Sequence, residues 1–168
     1  ADLLEHPYVV VAVGAQHATK QIPIDKLQYI CANIRTTIVL LGDGSDRERI
    51  RASAVDFTDN VVNLCGKTTL DQTQQLIDGA TLVITGDTGL MHIAAALKVP
   101  AIVLWGCTVP AFGFAPYLVQ FASVEEDLRC RPCHRFGRSK CPKGHYDCMV
   151  KHDWQKVAKT AQKFVKLS

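Results

Sequence analysis

Thr85-Gly86-Asp87-Thr88-Gly89-Leu90-Met91-His92 joins an apolar run to a helix-like stretch and gathers a carboxylate, a hydroxyl, two glycines and an imidazole. Asp87 and Thr88 are residue types that cap helices. Gly86 and Gly89 let backbone approach a ligand closely. A helix start offers free N–H groups and partial positive charge, which suits a pyrophosphate. The Thr88 hydroxyl adds a donor. His92 lies off the apolar stripe Leu90, Ile93, Ala94 and Leu97, so it could face the same ligand. A plainer reading stands beside this one: Asp87 only caps, and His92 is a partly exposed helix residue. Strand–turn–helix junctions are common to many folds without this chemistry.

Three other segments could join such a site. Lys20 follows the first apolar run, where a lysine can neutralise a phosphate as a point charge; a solvated loop lysine is the alternative. Gly42-Asp43-Gly44-Ser45-Asp46-Arg47-Glu48 follows the second run. A carboxylate just past a second strand takes ribose hydroxyls in nucleotide-binding sheets, or else complements a helix dipole. Thr108 follows the fifth run and could donate to a sugar or phosphate oxygen.

Cys130, Cys133, Cys141 and Cys148 have the spacing C-x2-C-x7-C-x6-C, with His134 and His145 among them. Four cysteines in a loop-rich stretch can form a tetrahedral structural zinc site, which would also hold an irregular segment in shape. Unliganded thiols in a satellite cluster are the other reading. The neighbouring Arg129, Arg131, Arg135, Arg138, Lys140 and Lys143 suit an anionic partner such as a phosphorylated lipid or membrane surface, or are simply solvated.

Position depends on the elements between these segments. Tyr8 to Val13, Thr37 to Leu41, Val61 to Leu64, Thr81 to Thr85 and Ala101 to Trp105 are short, β-branched apolar runs, with a weaker one at Val119 to Ala122. Between them, Leu27, Ile30, Cys31 and Ile34 mark a helix face, Asp46 to Phe57 is helix-like, and Thr69 with Gln72 has capping-box spacing. Continuous apolar strands alternating with helices predict a Rossmann-like, doubly wound parallel sheet of α/β class. Ligands bind such sheets beyond the carboxyl ends of the strands, where the four segments fall. An irregular cysteine-rich excursion is expected at about 124–151, then an amphipathic helix at about 153–166.

The 168 residues suit one domain, read here as a single unit over 1–168. A net charge of +3 favours anionic ligands without requiring nucleic acid, and none is expected. Cys31, Cys65 and Cys107 read as buried thiols in a reducing, cytosolic protein. Ala1 to His6 lacks the pattern of a signal peptide.

Asp87-Thr88-Gly89-Leu90-Met91-His92, followed by Ala94-Ala95-Ala96-Leu97 and Pro100, resembles the signature of glycosyltransferase family 9. Trp105-Gly106-Cys107-Thr108-Val109-Pro110 resembles that family's next loop, and Leu64-Cys65-Gly66-Lys67-Thr68-Thr69-Leu70 its segment upstream. The blocks occur in order from Val9 to the last helix. The resemblance is strongest to ADP-heptose:lipopolysaccharide heptosyltransferases, which place the active site between two Rossmann-like domains. It implies the C-terminal half of a GT-B enzyme, transferring heptose from ADP-heptose to the lipopolysaccharide core with inversion. It implies donor contacts from Lys20, Glu48, Asp87, Thr88, Gly89, Leu90, His92 and Thr108, and no metal or other cofactor for catalysis. The general base is expected in an N-terminal acceptor domain that these residues do not include, so none is expected here and the isolated chain is expected to be inactive. The protein is expected in the cytoplasm, with a peripheral position at the inner face of the bacterial inner membrane as one option. Departures are Ile22 for the family's aromatic after Lys20, and Cys107 for a common proline. Another nucleotide-sugar donor remains open, as does a non-catalytic nucleotide-binding or zinc-stabilised interaction module.

Overall fold

A computed structural model describes residues 6–167. The N-terminal reading for a leader falls mainly on residues 1–5, outside the described ones. The chain runs through β1 (Tyr8–Ala12), α1 (Ile24–Asn33), β2 (Thr37–Leu41), α2 (Gly44–Ala52), β3 (Val61–Asn63), α3 (Leu70–Asp78), β4 (Leu82–Gly86), α4 (Gly89–Ala96), β5 (Ala101–Trp105), β6 (Phe121–Glu125), α5 (Asp147–Val150) and α6 (Trp154–Leu167). All neighbouring strands pair in parallel, in the order β3-β2-β1-β4-β5-β6. The expected doubly wound sheet is therefore what forms.

Every residue of β1, β4 and β5 is buried, because helices cover both faces. Val9, Val11 and Val13 pack with Leu27 and Ile30 of α1 and Trp154, Val157 and Ala161 of α6. Tyr8 and Val10 pack on the opposite side with Ile77 and Ala94. Each fully buried aliphatic side chain contributes about 1.5–3 kcal/mol, so the apolar runs hold the sheet's centre. The order reverses between β1 and β4. Their carboxyl ends diverge into separate loops, and that divergence opens the crevice such sheets use for ligands.

Several boundaries differ from the sequence reading. The helix expected at Asp46 to Phe57 starts at Gly44, because Asp43 caps it: Asp43 Oδ1 accepts from the N–H groups of Ser45 at 2.8 Å and Asp46 at 3.0 Å. The last strand is Phe121–Glu125 instead of Val119 to Ala122; pairing of Ala101 to Trp105 with Phe121 to Glu125 selects the register. The irregular stretch is therefore shorter at its start, and α5 occupies part of its end. The capping box of Thr69 and Gln72 forms as its spacing requires.

His152 sits between α5 and α6 and is buried, its ring 5.7 Å from Trp154 and its Nδ1 3.2 Å from Glu126 Oε1. Burial pushes its pKa below the ordinary histidine value, against the opposing pull of Glu126. The unfolded chain therefore takes up a proton near pH 6.5 that the folded chain resists. The stability due to the neutral ring is complete above that pH and is lost as pH falls through it. Urea unfolding at pH 7.5 and 5.5 should show a drop in midpoint on acidification, and the drop should shrink in His152→Gln. Equal drops in both proteins would exclude His152 as a source.

Candidate functional site

The site begins at the two loops that part at the strand-order reversal. After β1, a tight turn at Ala18–Lys20 brings Lys20 back over the sheet's edge. After β4, the chain turns at Asp87 and enters α4 at Gly89. Lys20 Nζ lies 2.7 Å from Asp87 Oδ2, with the two side chains only 11% and 6% exposed. Thr108, just past β5, donates to the same oxygen at 2.9 Å. Three strand ends thus converge on one carboxylate.

Asp87 consequently does not cap α4. Thr88 holds the N-cap position, and its hydroxyl shares a hydrogen bond with Thr85 at 3.2 Å instead of capping the helix. The first N–H groups of a helix have no acceptor within it. Met91 N–H turns back to the Thr88 carbonyl at 3.1 Å, and no capping side chain takes the N–H groups of Gly89 and Leu90 ahead of it, so those two face a ligand.

A cleft of about 270 Å³ lies over this turn, lined by Lys20, Asp87, Thr88, Gly89 and His92 together with Gln16, His17, Phe114 and Phe136. A second cleft of about 620 Å³ shares Ala15, Gln16, Thr88 and Gly89 with it and extends past Leu90 to Gly14, Asp43, Asp46 and Thr68. The two form one trough along the carboxyl ends of β4, β1 and β2. The first part offers cationic and N–H groups. The second combines apolar Leu90 and Ile93 with carboxylates and a hydroxyl.

Six of the eight residues the resemblance selected as donor contacts line this trough. Thr108 is fully buried and reaches it only through Asp87. Glu48 does not line it: its exposed carboxylate pairs with Arg51 at 2.7 Å on the outer face of α2. The earlier start of α2 is the reason, since it turns Asp46, not Glu48, toward the sheet. Asp46 occupies the space left by Gly14 and Gly42, where a Cβ would stand within 1.9 and 2.6 Å of its carboxylate. Its Oδ2 accepts from the Asp43 N–H at 3.0 Å. Burial raises its pKa, against that bond and the pull of Arg49. Asp43 is held low, first by the Ser45 hydroxyl and then by the Asp46 N–H. The sequence signal for this pair was Asp-x-x-Asp directly after Gly42.

The excursion has its own anchors. Arg131, one of the basic residues offered to an anionic partner or to solvent, is internal: its guanidinium donates to the carbonyls of Gly106 at 2.6 Å, Glu126 at 2.8 Å and Thr108 at 2.9 Å, and pairs with Glu125 at 2.9 Å. It ties the excursion to the loop after β5. Cys130, Cys133, Cys141 and Cys148 line a cavity of about 230 Å³ with Cys107 and His145. All seven cysteines are free thiols. Among the described residues, no three of His, Cys, Asp and Glu are grouped so as to hold a metal ion. The C-x2-C-x7-C-x6-C stretch thus brings the four thiols to one cavity without forming a metal-holding group among the described residues. Burial drives Cys31 and Cys65 up to about 12 and Cys148 to about 11. Burial raises Cys141 too, but backbone N–H groups of Tyr146, Lys143, Gly144 and His145 outweigh it and hold that thiol below its ordinary value.

The trough's sequence blocks match known proteins. The family model for glycosyltransferase family 9 (heptosyltransferase) matches residues 1–144. Lipooligosaccharide heptosyltransferase 2 of Haemophilus influenzae is 43% identical over 79 residues, covering 45% of this chain and 23% of that protein. The structure of E. coli ADP-heptose lps heptosyltransferase II superposes with a TM-score of 0.75 at 25% identity, over 97% of this chain and 47% of that one. A family 9 glycosyl transferase from Veillonella parvula superposes with a TM-score of 0.78 at 18% identity, over 98% of this chain and 47% of that one. The chain thus spans less than half the length of these relatives. With the family model covering most of its residues, the chain belongs to glycosyltransferase family 9, the heptosyltransferases.

Proposed function

We propose that this chain is the donor-binding half of a glycosyltransferase that moves heptose from ADP-heptose to a lipopolysaccharide core, with inversion. The observation that carries the reading is the Lys20–Asp87–Thr108 constellation beside the uncapped start of α4, at the reversal of strand order. The chemical task is to stabilise a departing nucleoside diphosphate. Lys20 supplies a fixed positive charge and the α4 N–H groups supply donors, both set in place before reaction, which is how preorganised electrostatics lower a barrier. Asp87 holds the ammonium in position and Thr108 holds Asp87; neither touches the ligand's reacting atoms. The wider trough beyond Leu90 takes the nucleoside, with Asp43 and Asp46 nearest its hydroxyls. The base that activates the acceptor hydroxyl belongs to the acceptor-side domain in this reading. The E. coli relative named for ADP-heptose supports the choice of donor.

Calorimetric titration with ADP, UDP and GDP tests the reading. Saturable binding that prefers ADP supports it. Failure of all three to bind removes it.

A second reading concerns the thiol cavity. We propose that Cys130, Cys133, Cys141 and Cys148 close around a structural zinc ion. Their shared cavity and the C-x2-C-x7-C-x6-C spacing support this. Elemental analysis after purification without chelator should find about one zinc per chain, in keeping with a closed four-thiolate site. Chelation should lower the melting temperature, and Cys141→Ser should abolish retention. Metal-free protein whose melting ignores added zinc would sink this reading.

A further inference from the structure

The cleft at Lys20 mixes polar side chains with apolar surface, and two aromatic rings form part of its wall. Phe114 comes from the loop after β5 and Phe136 from the cysteine-rich excursion, 22 residues later in the sequence. Their ring centroids are 6.0 Å apart at an interplanar angle of 47°. Phe136 is 54% exposed, so its ring is open to a ligand in the cleft. Diphosphate recognition by itself uses neither ring.

The turn that presents Phe136 is fixed from several sides. His134 Nδ1 accepts from the N–H groups of both Phe136 and Gly137 at 3.1 Å. Gly137 has φ +124°, and a Cβ there would stand 2.6 Å from the His17 ring, so only glycine fits. Thr19 Oγ1 accepts from Arg138 N at 2.9 Å and donates to Arg138 O at 3.0 Å. Thr19 immediately precedes Lys20 in the same tight turn. The element that sets the lysine therefore also sets the aromatic ring. The Arg135 guanidinium lies 5.5 Å from the ring centroid, which further restrains it.

We propose that Phe136, backed by Phe114, is the platform on which the sugar ring of the nucleotide-sugar donor packs, making it a specificity-determining residue of this site. The inference rests on the donor-site reading above. A pyranose carries apolar C–H groups on its faces and hydroxyls at its edge, so it covers an aromatic ring while its polar rim stays hydrated. In a nucleotide-sugar the pyranose is attached directly to the distal phosphate. With that phosphate at Lys20 and the α4 start, the sugar falls against the adjoining wall of the same cleft, which is where the rings stand. The nucleoside lies at the other end of the trough and does not reach Phe136. The excursion thereby becomes part of the donor site, contributing to recognition of the sugar and not of the nucleotide.

The test is calorimetric titration of the chain and of Phe136→Ala, Phe136→Leu and Phe136→Tyr with ADP and with ADP-heptose. Phe136→Ala should leave the ADP Kd within about twofold and weaken ADP-heptose about five- to tenfold, the range expected for losing one aromatic contact. Phe136→Tyr should restore the ADP-heptose affinity, and Phe136→Leu should not, since it keeps apolar bulk without the flat ring. The unchanged ADP affinity also shows that the variants are folded. Parallel losses for both ligands, or no loss for either, would overturn the platform while leaving the donor site standing. Failure of the unmodified chain to bind ADP would overturn both.

Discussion

Lys20→Ala is expected to weaken ADP binding by about a hundredfold, consistent with the ~2–5 kcal/mol typical of truncating one member of a buried, hydrogen-bonded charge pair. The same substitution leaves Asp87 buried without its cation, so stability should fall as well, by about 3–5 kcal/mol. These effects separate in the paired variant Lys20→Met with Asp87→Leu. Replacing both charges by apolar groups removes the unpaired carboxylate and should recover much of the stability. It leaves no positive charge for phosphate, so binding should stay lost. Urea unfolding and calorimetry on the two single variants and the pair would read both quantities. A paired variant that binds ADP like the parent would show that Lys20 only supports the fold, and would move the phosphate site elsewhere.

Gly86→Ala should disturb the same site without touching a charged group. Gly86 is the last residue of β4, and a Cβ on it would stand 2.7 Å from the carbonyl oxygen of Lys20. That oxygen is backbone, so the turn at Ala18–Lys20 must move away from β4. Overpacking of this kind costs about 1–3 kcal/mol. The displaced turn also takes Lys20 out of line with the α4 start, so ADP affinity should drop at least tenfold, because misplacement by about 1 Å is already damaging at such sites. Gly89→Ala gives the contrast in stability. Nothing lies within 4 Å of a Cβ at Gly89, so alanine there should leave the stability close to the parent's. If Gly86→Ala were as stable as the parent and bound ADP equally well, the close approach of the two loops would have no consequence for the site.

The legible parts of this protein were those with local causes. The strands at Tyr8, Thr37 and Ala101 are β-branched apolar runs whose burial on both faces the composition already implies. The capping box at Thr69 is readable because it needs only two residues three apart. The turn from Thr85 to His92 was readable as a candidate ligand site because strand end, glycines and helix start are contiguous. Lys20, from a separate loop, could be nominated by its place after a strand, but not joined to a partner.

Other assignments depended on long-range geometry. Glu48 and Asp46 are both acids after the second strand, and only the start of α2 at Gly44 decides which one turns toward the sheet. Arg131 looks like one more basic residue in a charged stretch until four acceptors, most of them from other segments, are found around its guanidinium. Cys107 is 23 residues from Cys130, yet it lines the same cavity.

The sequence alone therefore determined the alternation of strands and helices, the parallel sheet and the turn that starts α4, because hydrophobic period and capping chemistry act over a few residues. Tertiary structure decided that β1 and β4 are neighbours. That adjacency brings Lys20 to Asp87 across 67 residues and Phe136 to the cleft they share. No local pattern encodes such pairings, since they follow from strand order and from which loops the packed sheet brings together.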